Sequence, residues 1–367
     1  MKLEILRLEC YRNIAFAELI FEPRCVFLRG PNGQGKSNVL ESIGLLTALR
    51  SFRGHALPLW IQHGKDQAQL YFQGRHDTED SFDLRMKFRR EGKQLWRDEE
   101  CVRRMTDWIG LYPAVVFSNR DKIWIYGGPR ERRQFFDILL SQLDAHYLRS
   151  LRNYYTALKQ RNAALKQSQF SILSSFESIL SQEAVVIAEK RQQWLELFNQ
   201  HFVFCYKVVS PQGLEEPHLR YEGDTEIALL SSEDFWYRSR EKDKLWQTTQ
   251  HGIHRDDYSL ELCAHPVRSF ASEGQQKSIV LAMNLAQVEL IKSYKKEAPL
   301  ILLDDVTGEL DPSRRRGLWD ALPSECQIFA CGTEFPQELT VKDWQIWNVH
   351  EGTYRLAEAL RHSRVML

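Results

Sequence analysis

The chain has 367 residues, 43% of them apolar and 27% charged, and its 49 basic residues balance 49 acidic ones. That length and composition exclude a disordered chain, and the zero net charge excludes a uniformly basic nucleic-acid binder, although local basic patches remain available. The seven cysteines are odd in number and never spaced as C-x-x-C, so neither a disulfide framework nor a zinc ribbon is expected.

At the N-terminus "MKLEILRLECYRN" alternates apolar and polar residues instead of forming a signal-peptide core. No apolar run reaches the length needed to span a membrane, and a cytoplasmic protein is expected. Residues 3–8 and 18–28 read as strands, the second entering a glycine turn through "CVFLRG". Residues 36–49 then read as a helix, with apolar residues recurring at three and four positions. From about 69 to 117 the pattern is β-rich, and "HDTED" supplies a polar turn between two strands. Between about 130 and 205 the period becomes helical. One stripe carries Leu148, Leu151, Tyr155, Leu158 and Leu165, and a second carries Phe176, Ile179, Glu183, Val186, Lys190, Trp194 and Leu197. The link "KQSQFSILSS" makes an antiparallel helical pair. Farther on, "YSLELC", "PLILLDD", "CQIFACG" and "WQIWNV" read as strands, with helices at about 274–296 and 313–322. Strands alternating with helices around glycine turns predict an α/β layer architecture.

Three stretches carry chemistry. "GPNGQGKS", residues Gly30, Pro31, Asn32, Gly33, Gln34, Gly35, Lys36 and Ser37, fits G-x-x-x-x-G-K-[ST] in full, between an apolar strand and a helix. The glycines let backbone amides curl round phosphates, the lysine reaches the β/γ oxygens, and the serine hydroxyl ligates Mg²⁺. In "PLILLDDVTGELD" a buried strand ends in Asp304 and Asp305, a carboxylate pair that a cation or hydrogen-bond donors must compensate. Asp304 suits Mg²⁺ through water, and Asp305 suits polarisation of an attacking water. In "FASEGQQKSIVLA", Ser272, Gly274 and Gln275 precede an apolar helix whose first amides point at an anion; taken alone, Ser272 is an ordinary helix cap. The histidines and aspartates of "HGIHRDD" match no common zinc spacing.

These stretches, in this order and with a short helical insertion between them, resemble an ABC-type ATPase head, an α/β fold with a P-loop nucleotide-binding lobe and a mostly helical second lobe. The lobes would be 1–117 plus 295–367, and 118–294, the latter with its arm at about 130–205 and the signature at 271–277. "LRLECYRNIAFAELIFEP", "GPNGQGKSNVLESI", "LRSFRG", "GGPRERRQFFDILLSQLDAHYL", "ALKQRNAALK", "HGIHRDDYSLEL", "ASEGQQKS" and "LLDDVTGELD" narrow the match to the RecF family of bacterial recombination mediators. The resemblance implies ATP and Mg²⁺ as cofactors, an ATP-dependent homodimer on DNA, and slow hydrolysis. The implied partners are DNA at gaps or single/double-strand junctions, RecR, RecO and RecA. It implies that Lys36 and Ser37 bind phosphate and Mg²⁺, that Asp304 is the Walker B acid and Asp305 stands at the catalytic position. Ser272 would reach the nucleotide of the opposite subunit, and Asp311 would lie in the D-loop.

Several positions depart from the family pattern. Glu273 stands where Gln is usual, Ile253 replaces a Pro, and "ACGT" at 330–333 replaces a Thr-rich strand end, which leaves the γ-phosphate sensor unassigned. Candidate DNA contacts are Arg130, Arg132 and Arg133, the helical row Arg149, Arg152, Lys159 and Lys166, and the hairpin row Arg85, Lys87, Arg89 and Arg90. A non-hydrolysing, ATP-gated adaptor is the alternative. A head with long coiled coils is disfavoured by the short insertion, and a phosphotransferase leaves Ser272 and the Asp305 pair without a role.

Overall fold

Alternating apolar and polar residues send the start of the chain into two different sheets. The first three strands are β1 (Lys2–Tyr11), β2 (Ile14–Ile20) and β3 (Cys25–Arg29). The segment 18–28, expected as one strand, is thus two, because Pro23 cannot donate to a ladder and breaks the run. With β4 (Gln67–Arg75), β5 (Ser81–Arg89), β6 (Gly92–Arg97) and β7 (Glu100–Cys101), the first two strands form an antiparallel sheet ordered β2-β1-β4-β5-β6-β7. The computed structural model describes residues 1–210, 215–306, 308, 310, 312–336 and 343–357. They fall into two units, Met1–Asp121 with Val208–Pro211 and Leu281–Leu367, and Lys122–Lys207 with Gln212–Val280.

In the first unit β3 joins β8 (Ala114–Ser118), β12 (Leu300–Asp304), β13 (Ile328–Gly332), β14 (Trp344–His350) and β15 (Thr353–Leu356) in the order β15-β14-β3-β13-β12-β8. All neighbours are parallel except β14–β15. The inner strands read as unbroken apolar runs, as burial on both faces requires. Helix α1 (Lys36–Ala48) buries Val39, Leu40, Ile43 and Leu46 in one core with Leu6, Leu70, Phe72 and Met86 of the antiparallel sheet and with Leu28 and Leu302 of the parallel one.

The second unit is mainly helical: α2 (Ile123–Tyr126), α3 (Pro129–Leu143), α4 (Ala145–Lys166), α5 (Leu173–Val209, to Lys207 in this unit), α6 (Ile227–Leu230), α7 (Glu233–Trp246) and α8 (Val267–Phe270). A small antiparallel sheet, β9 (Pro217–Glu222), β10 (Asp257–Leu262) and β11 (His265–Pro266), completes it. The boundary at 280/281 falls inside α9 (Glu273–Lys295), so 281–294, assigned from sequence to the second lobe, clusters with the first unit. The remaining helix is α10 (Pro312–Ala321).

α4 and α5 are antiparallel, since Arg161 pairs with Glu177 and Asn153 with Glu183. Their buried faces follow the expected apolar stripes only in part, at Leu158, Leu165 and Trp194. α4 buries Tyr147, Ser150, Tyr154, Ala157, Leu158, Arg161 and Leu165, while Tyr155 is 39% exposed. α5 turns Glu177, Leu180, Ala184, Ile187, Arg191 and Trp194 inward and leaves Ile179 and Leu197 exposed. The cause is charge: fully buried Arg161 bonds Glu177 at 2.9 Å and Asp243 at 2.7 Å, and fully buried Arg191 bonds Asp137 at 2.8 Å and Asp256 at 2.7 Å. A pattern search that counts only apolar residues registers one position away from the true seam. Contrary to the sequence expectation, Phe170–Val209 is long and apolar enough to cross a membrane by length and composition alone. Its inward face nonetheless holds Glu177 and Arg191 in ion pairs, as a core helix does.

Removing one partner of a buried ion pair leaves an uncompensated charge, typically costing about 3–5 kcal/mol. Arg161→Met is therefore expected to lower unfolding stability by about 3 kcal/mol, Arg240 remaining to hold Glu177. Exposed Arg149→Met should stay within about 0.5 kcal/mol of wild type. Urea titration followed by tryptophan fluorescence reads both, and equal midpoints would mean that the buried carboxylates are neutral.

Candidate functional site

β3 and β12 flank β13, and the register sets Leu28 and Asp304 both opposite Cys331. The loop that follows Arg29 and the carboxylate that ends β12 therefore share the C-terminal edge of the parallel sheet, the edge at which open α/β sheets bind ligands. Gly30 N donates to Gly332 O at 3.2 Å, and a Cβ on Gly30 would lie 2.2 Å from the Val349 carbonyl oxygen. Gly33 and Gly35 take φ of 78° and 113°, in the left-handed region where side chains are strained. The glycine spacing of the motif is thus required by the backbone itself.

Outside the loop stands a support that the motif does not contain. Tyr354 Oη donates to Gly35 O at 3.1 Å, Gly352 N to Gln34 O at 3.0 Å and Glu351 N to Gln34 Oε1 at 2.7 Å. Asn38 donates to Asn13 Oδ1 at 2.7 Å, and Arg53 to Asn38 Oδ1 at 3.0 Å. Asn13 in turn donates to Gln34 O at 3.3 Å. The β14–β15 turn and the β1–β2 turn thereby clamp the loop from one side.

Lys36, only 6% exposed, donates from Nζ to Gly30 O at 2.6 Å and Pro31 O at 2.8 Å, which holds its ammonium over the loop. α1 starts at Gly35 with no side-chain cap and no acidic residue in its first turn, so the positive end of its dipole is uncompensated. One turn on, fully buried Glu41 accepts two bonds from Arg12 at 2.9 and 2.6 Å, one from Ser51 and a 3.4 Å contact with His55 Nδ1. Burial alone would raise its pKa; the bonds from Arg12 and Ser51 outweigh that and lower it. The carboxylate is ionised and pins the first turns of α1 to the β1–β2 turn.

At the end of β12, Asp304 Oδ1 accepts from Cys331 Sγ at 3.3 Å. Burial and the adjacent Asp304 charge keep that thiol protonated. Asp305 is exposed with φ 56°, an uncommon conformation for a residue with a side chain, and its carbonyl accepts from Asn119 Nδ2 at 3.3 Å. Asp311 lies outside the described residues. Asp121, which the sequence reading missed, accepts from Ser118 N at 2.8 Å and Asn284 Nδ2 at 2.9 Å. Burial raises its carboxyl to about 7, the two donors pull it down and the Asp304 charge adds to the rise. The local signal for it was an acid in the turn "NRD" that follows the strand "AVVFS".

In the second unit, Ser272 and Gln275 form a reciprocal cap at the start of α9. Ser272 N donates to Gln275 Oε1 at 2.8 Å and Gln275 N to Ser272 Oγ at 3.3 Å. The serine oxygen is used as an acceptor, and its O–H remains a donor. Glu273 is paired with Lys277 at 3.1 Å. Buried Ile253 uses its carbonyl to accept from Arg191 at 2.9 Å. The residues of "HGIHRDD" are engaged separately: His251 with Asp224, His254 with Tyr154 Oη, Asp256 with Arg191, and Asp257 with Arg132. No group of three His, Cys, Asp or Glu among the described residues is arranged to hold a metal.

Of the basic candidates, Arg130, Arg149, Arg152, Lys159 and Lys166 are exposed. Arg132 and Arg133 are corrected: Arg132 bonds Asp257 through two nitrogens at 2.8 Å, and Arg133 donates to the Asp256 carbonyl. Both guanidiniums are engaged within the fold at the start of α3, Arg132 by the Asp257 carboxylate and Arg133 by the backbone carbonyl of Asp256.

The model of the RecF/RecN/SMC N terminal domain matches residues 2–333. The DNA replication and repair protein RecF of Lachnoclostridium phytofermentans is 32% identical over 360 residues, 96% of this chain and 99% of that one. The protein of the same name from Bacteroides thetaiotaomicron is 32% identical over 309 residues, 83% of each chain. A solved structure of the recombination mediator protein RecF with ATP in the RecFOR pathway superposes with a TM-score of 0.88 at 25% identity, covering 97% of both chains. An Smc head bound to the C-winged helix domain of ScpA has a TM-score of 0.58 at 15% identity over the full length of both, a likeness of fold. The fold is that of an ABC-type ATPase head.

Asp121 supplies a pH test. Its pKa is raised from 3.8 to about 7 in the folded state, so the stability it contributes is complete below about pH 4 and lost as pH rises through about 7. Asp121→Asn should then gain about 4 kcal/mol over wild type at pH 8, and little at pH 4. Thermal unfolding across that range measures the difference, and a pH-independent gain would show Asp121 to be ionised throughout.

Proposed function

The chain belongs to the RecF family of DNA replication and repair proteins, and from that membership we propose that it is a DNA-binding ABC-type ATPase of recombinational repair. The observation that carries this reading is the shared strand edge, where the glycine loop and Asp304 end level across β13. Gly30–Ser37 wraps the ATP phosphates, and Lys36 exchanges its two carbonyl bonds for phosphate oxygens. Ser37 and Asp304 would hold Mg²⁺, which when bound would supply positive charge against the phosphates. The loop fits such a ligand: its glycines leave no Cβ in the cradle, and the dipole of α1 is uncompensated.

Asp305 orients the attacking water. It is one methylene shorter than Glu, and a general base must come within about 2.6–3.2 Å of the proton it takes. A misplacement of about 1 Å costs roughly a hundredfold, so hydrolysis is slow and acts as a timer. Ser272 of one protomer donates its free O–H to the γ-phosphate held by the other, so that ATP closes a head-to-tail dimer and hydrolysis reopens it. The lobes are the nucleotide-binding lobe and the helical lobe proposed from sequence, and Asp311 belongs to the dimer's D-loop. RecR, RecO and RecA are the partners, at gaps on chromosomal DNA in the cytoplasm. The exposed row Arg149, Arg152, Lys159 and Lys166, with Arg130, contacts the DNA backbone without sequence preference. A second reading, an ATP-gated adaptor that does not hydrolyse, is favoured by one observation, the left-handed backbone at exposed Asp305.

Solution mass with and without ATP and Mg²⁺ tests the clamp. Wild type should become a dimer with nucleotide, Lys36→Met should remain a monomer that binds none, and Ser272→Arg should bind ATP as a monomer. Dimerisation of Ser272→Arg would reduce 271–277 to a helix cap. Single-turnover hydrolysis on DNA separates the two readings: Asp305→Ala should fall at least about a hundredfold below wild type, and an unchanged rate would remove Asp305 from the chemistry.

A further inference from the structure

The outer face of the antiparallel sheet has no role in the nucleotide site. Period-2 alternation puts Leu6, Leu70, Phe72, Leu84 and Met86 in the core and turns the intervening residues away from it. On that outer face the register lines up one row across five strands, Glu18–Arg7–Tyr71–Arg85–Trp96. Guanidinium and aromatic groups alternate along it: Arg7 lies 5.3 Å from the Tyr71 ring centroid and Arg85 lies 4.6 Å from that of Trp96. Arg85, Lys87 and Arg89 project from the same face of β5 at successive outward positions. Trp96 is half-buried, and its cross-strand partner Arg85 is exposed.

We propose that this face is a binding platform for single-stranded DNA, with unpaired bases stacking on the Tyr71–Trp96 row and the phosphates following the basic ridge of β5. The proposal deepens the reading of the chain as a DNA-binding repair protein and rests on it. Arg7 and Arg85 lie over the Tyr71 and Trp96 rings, so a base would stack on the guanidinium plane or displace it from the ring, and such stacking is tolerant of sequence. The ridge supplies the positive charge that a nucleic-acid backbone requires and an apolar protein partner does not. Cross-strand pairing fixes the row on a rigid sheet, so little ordering entropy is lost on binding.

The test uses the full-length protein with fluorescein-labelled oligo(dT) of twenty nucleotides and a duplex of the same length, read by anisotropy. Trp96→Ala should weaken oligo(dT) binding about tenfold and leave duplex binding unchanged, and Arg85→Glu should weaken oligo(dT) binding about tenfold. Trp96→Phe, which keeps a stacking ring, should stay within about threefold of wild type, guarding against a folding defect in Trp96→Ala. Photocrosslinking of iododeoxyuridine-substituted oligo(dT) to wild type should label peptides from β4 to β6. Wild-type affinity in Trp96→Ala and Arg85→Glu, or crosslinks confined to the helical arm, would overturn the platform. Wild type that binds duplex but not oligo(dT) would overturn it while leaving the DNA-binding reading standing. If neither nucleic acid binds, both fall.

Discussion

The parallel register of β3, β13 and β12 is the constraint on which the rest depends. Leu28 and Asp304 meet the same residue of β13, so two segments nearly 280 positions apart end at one height. A slip of one residue would turn each strand's side chains to the opposite face and carry Asp304 away from the loop. What forbids the slip is burial on both faces: Phe27 and Leu28, Leu302 and Leu303, and Ala330 and Cys331 are all inaccessible to water. Apolar packing thus sets the geometry of a polar site. The Cys331–Asp304 contact adds to it, because the thiol is a weak donor that orients one carboxylate oxygen without neutralising it.

The loop itself is held by charge and hydrogen bonds instead. Glu41 is buried with Arg12, an arrangement that would cost several kcal/mol if either partner were missing. Its value lies in rigidity: the pair ties α1 to the turn that also presents Asn13 to the loop. Asn13, Asn38 and Arg53 then form a chain leading outward from Gln34. In the second unit the same economy recurs. Arg161 and Arg191 each bridge separate segments through two carboxylates, fixing α4, α5 and α7 in one arrangement. Both networks satisfy nearly all of the donors they bury, which is the condition under which an interior charge specifies a fold rather than weakening it.

How much of this was legible follows from the range of the interactions. The loop was readable because its glycines answer to local backbone angles, and the strand ending in Asp304 was readable because burial on both faces leaves a continuous apolar run. The register between them, and hence the contact with Cys331, depends on pairing that no local pattern encodes. Tyr354, Asn13 and Asp121 were missed for the same reason, since each acts on residues far along the chain. The helical stripes were misplaced because Arg161, Arg191 and Glu177 occupy core positions, and a charged residue there looks like surface until its partner is known. Arg132 and Arg133 failed in the opposite sense: Arg132, which looked free, is ion-paired with Asp257, and Arg133 is hydrogen-bonded to the Asp256 carbonyl.

The departures at the signature bear on how the proposed dimer closes. A glutamate at position 273 would repel a γ-phosphate, but Lys277 one turn on already pairs with it and lowers its pKa. Glu273 is exposed while Lys277 is partly buried, so the pair lies at the surface and contributes little to helix stability. Closure that removes water would strengthen every interaction inside the interface. The Ser272–Gln275 cap has the complementary property: it fixes the serine before any partner arrives, so the ordering cost is met in the monomer and the donor is aimed in advance. In the proposed dimer, the cap would keep Ser272 in place beside the negative charge of Glu273.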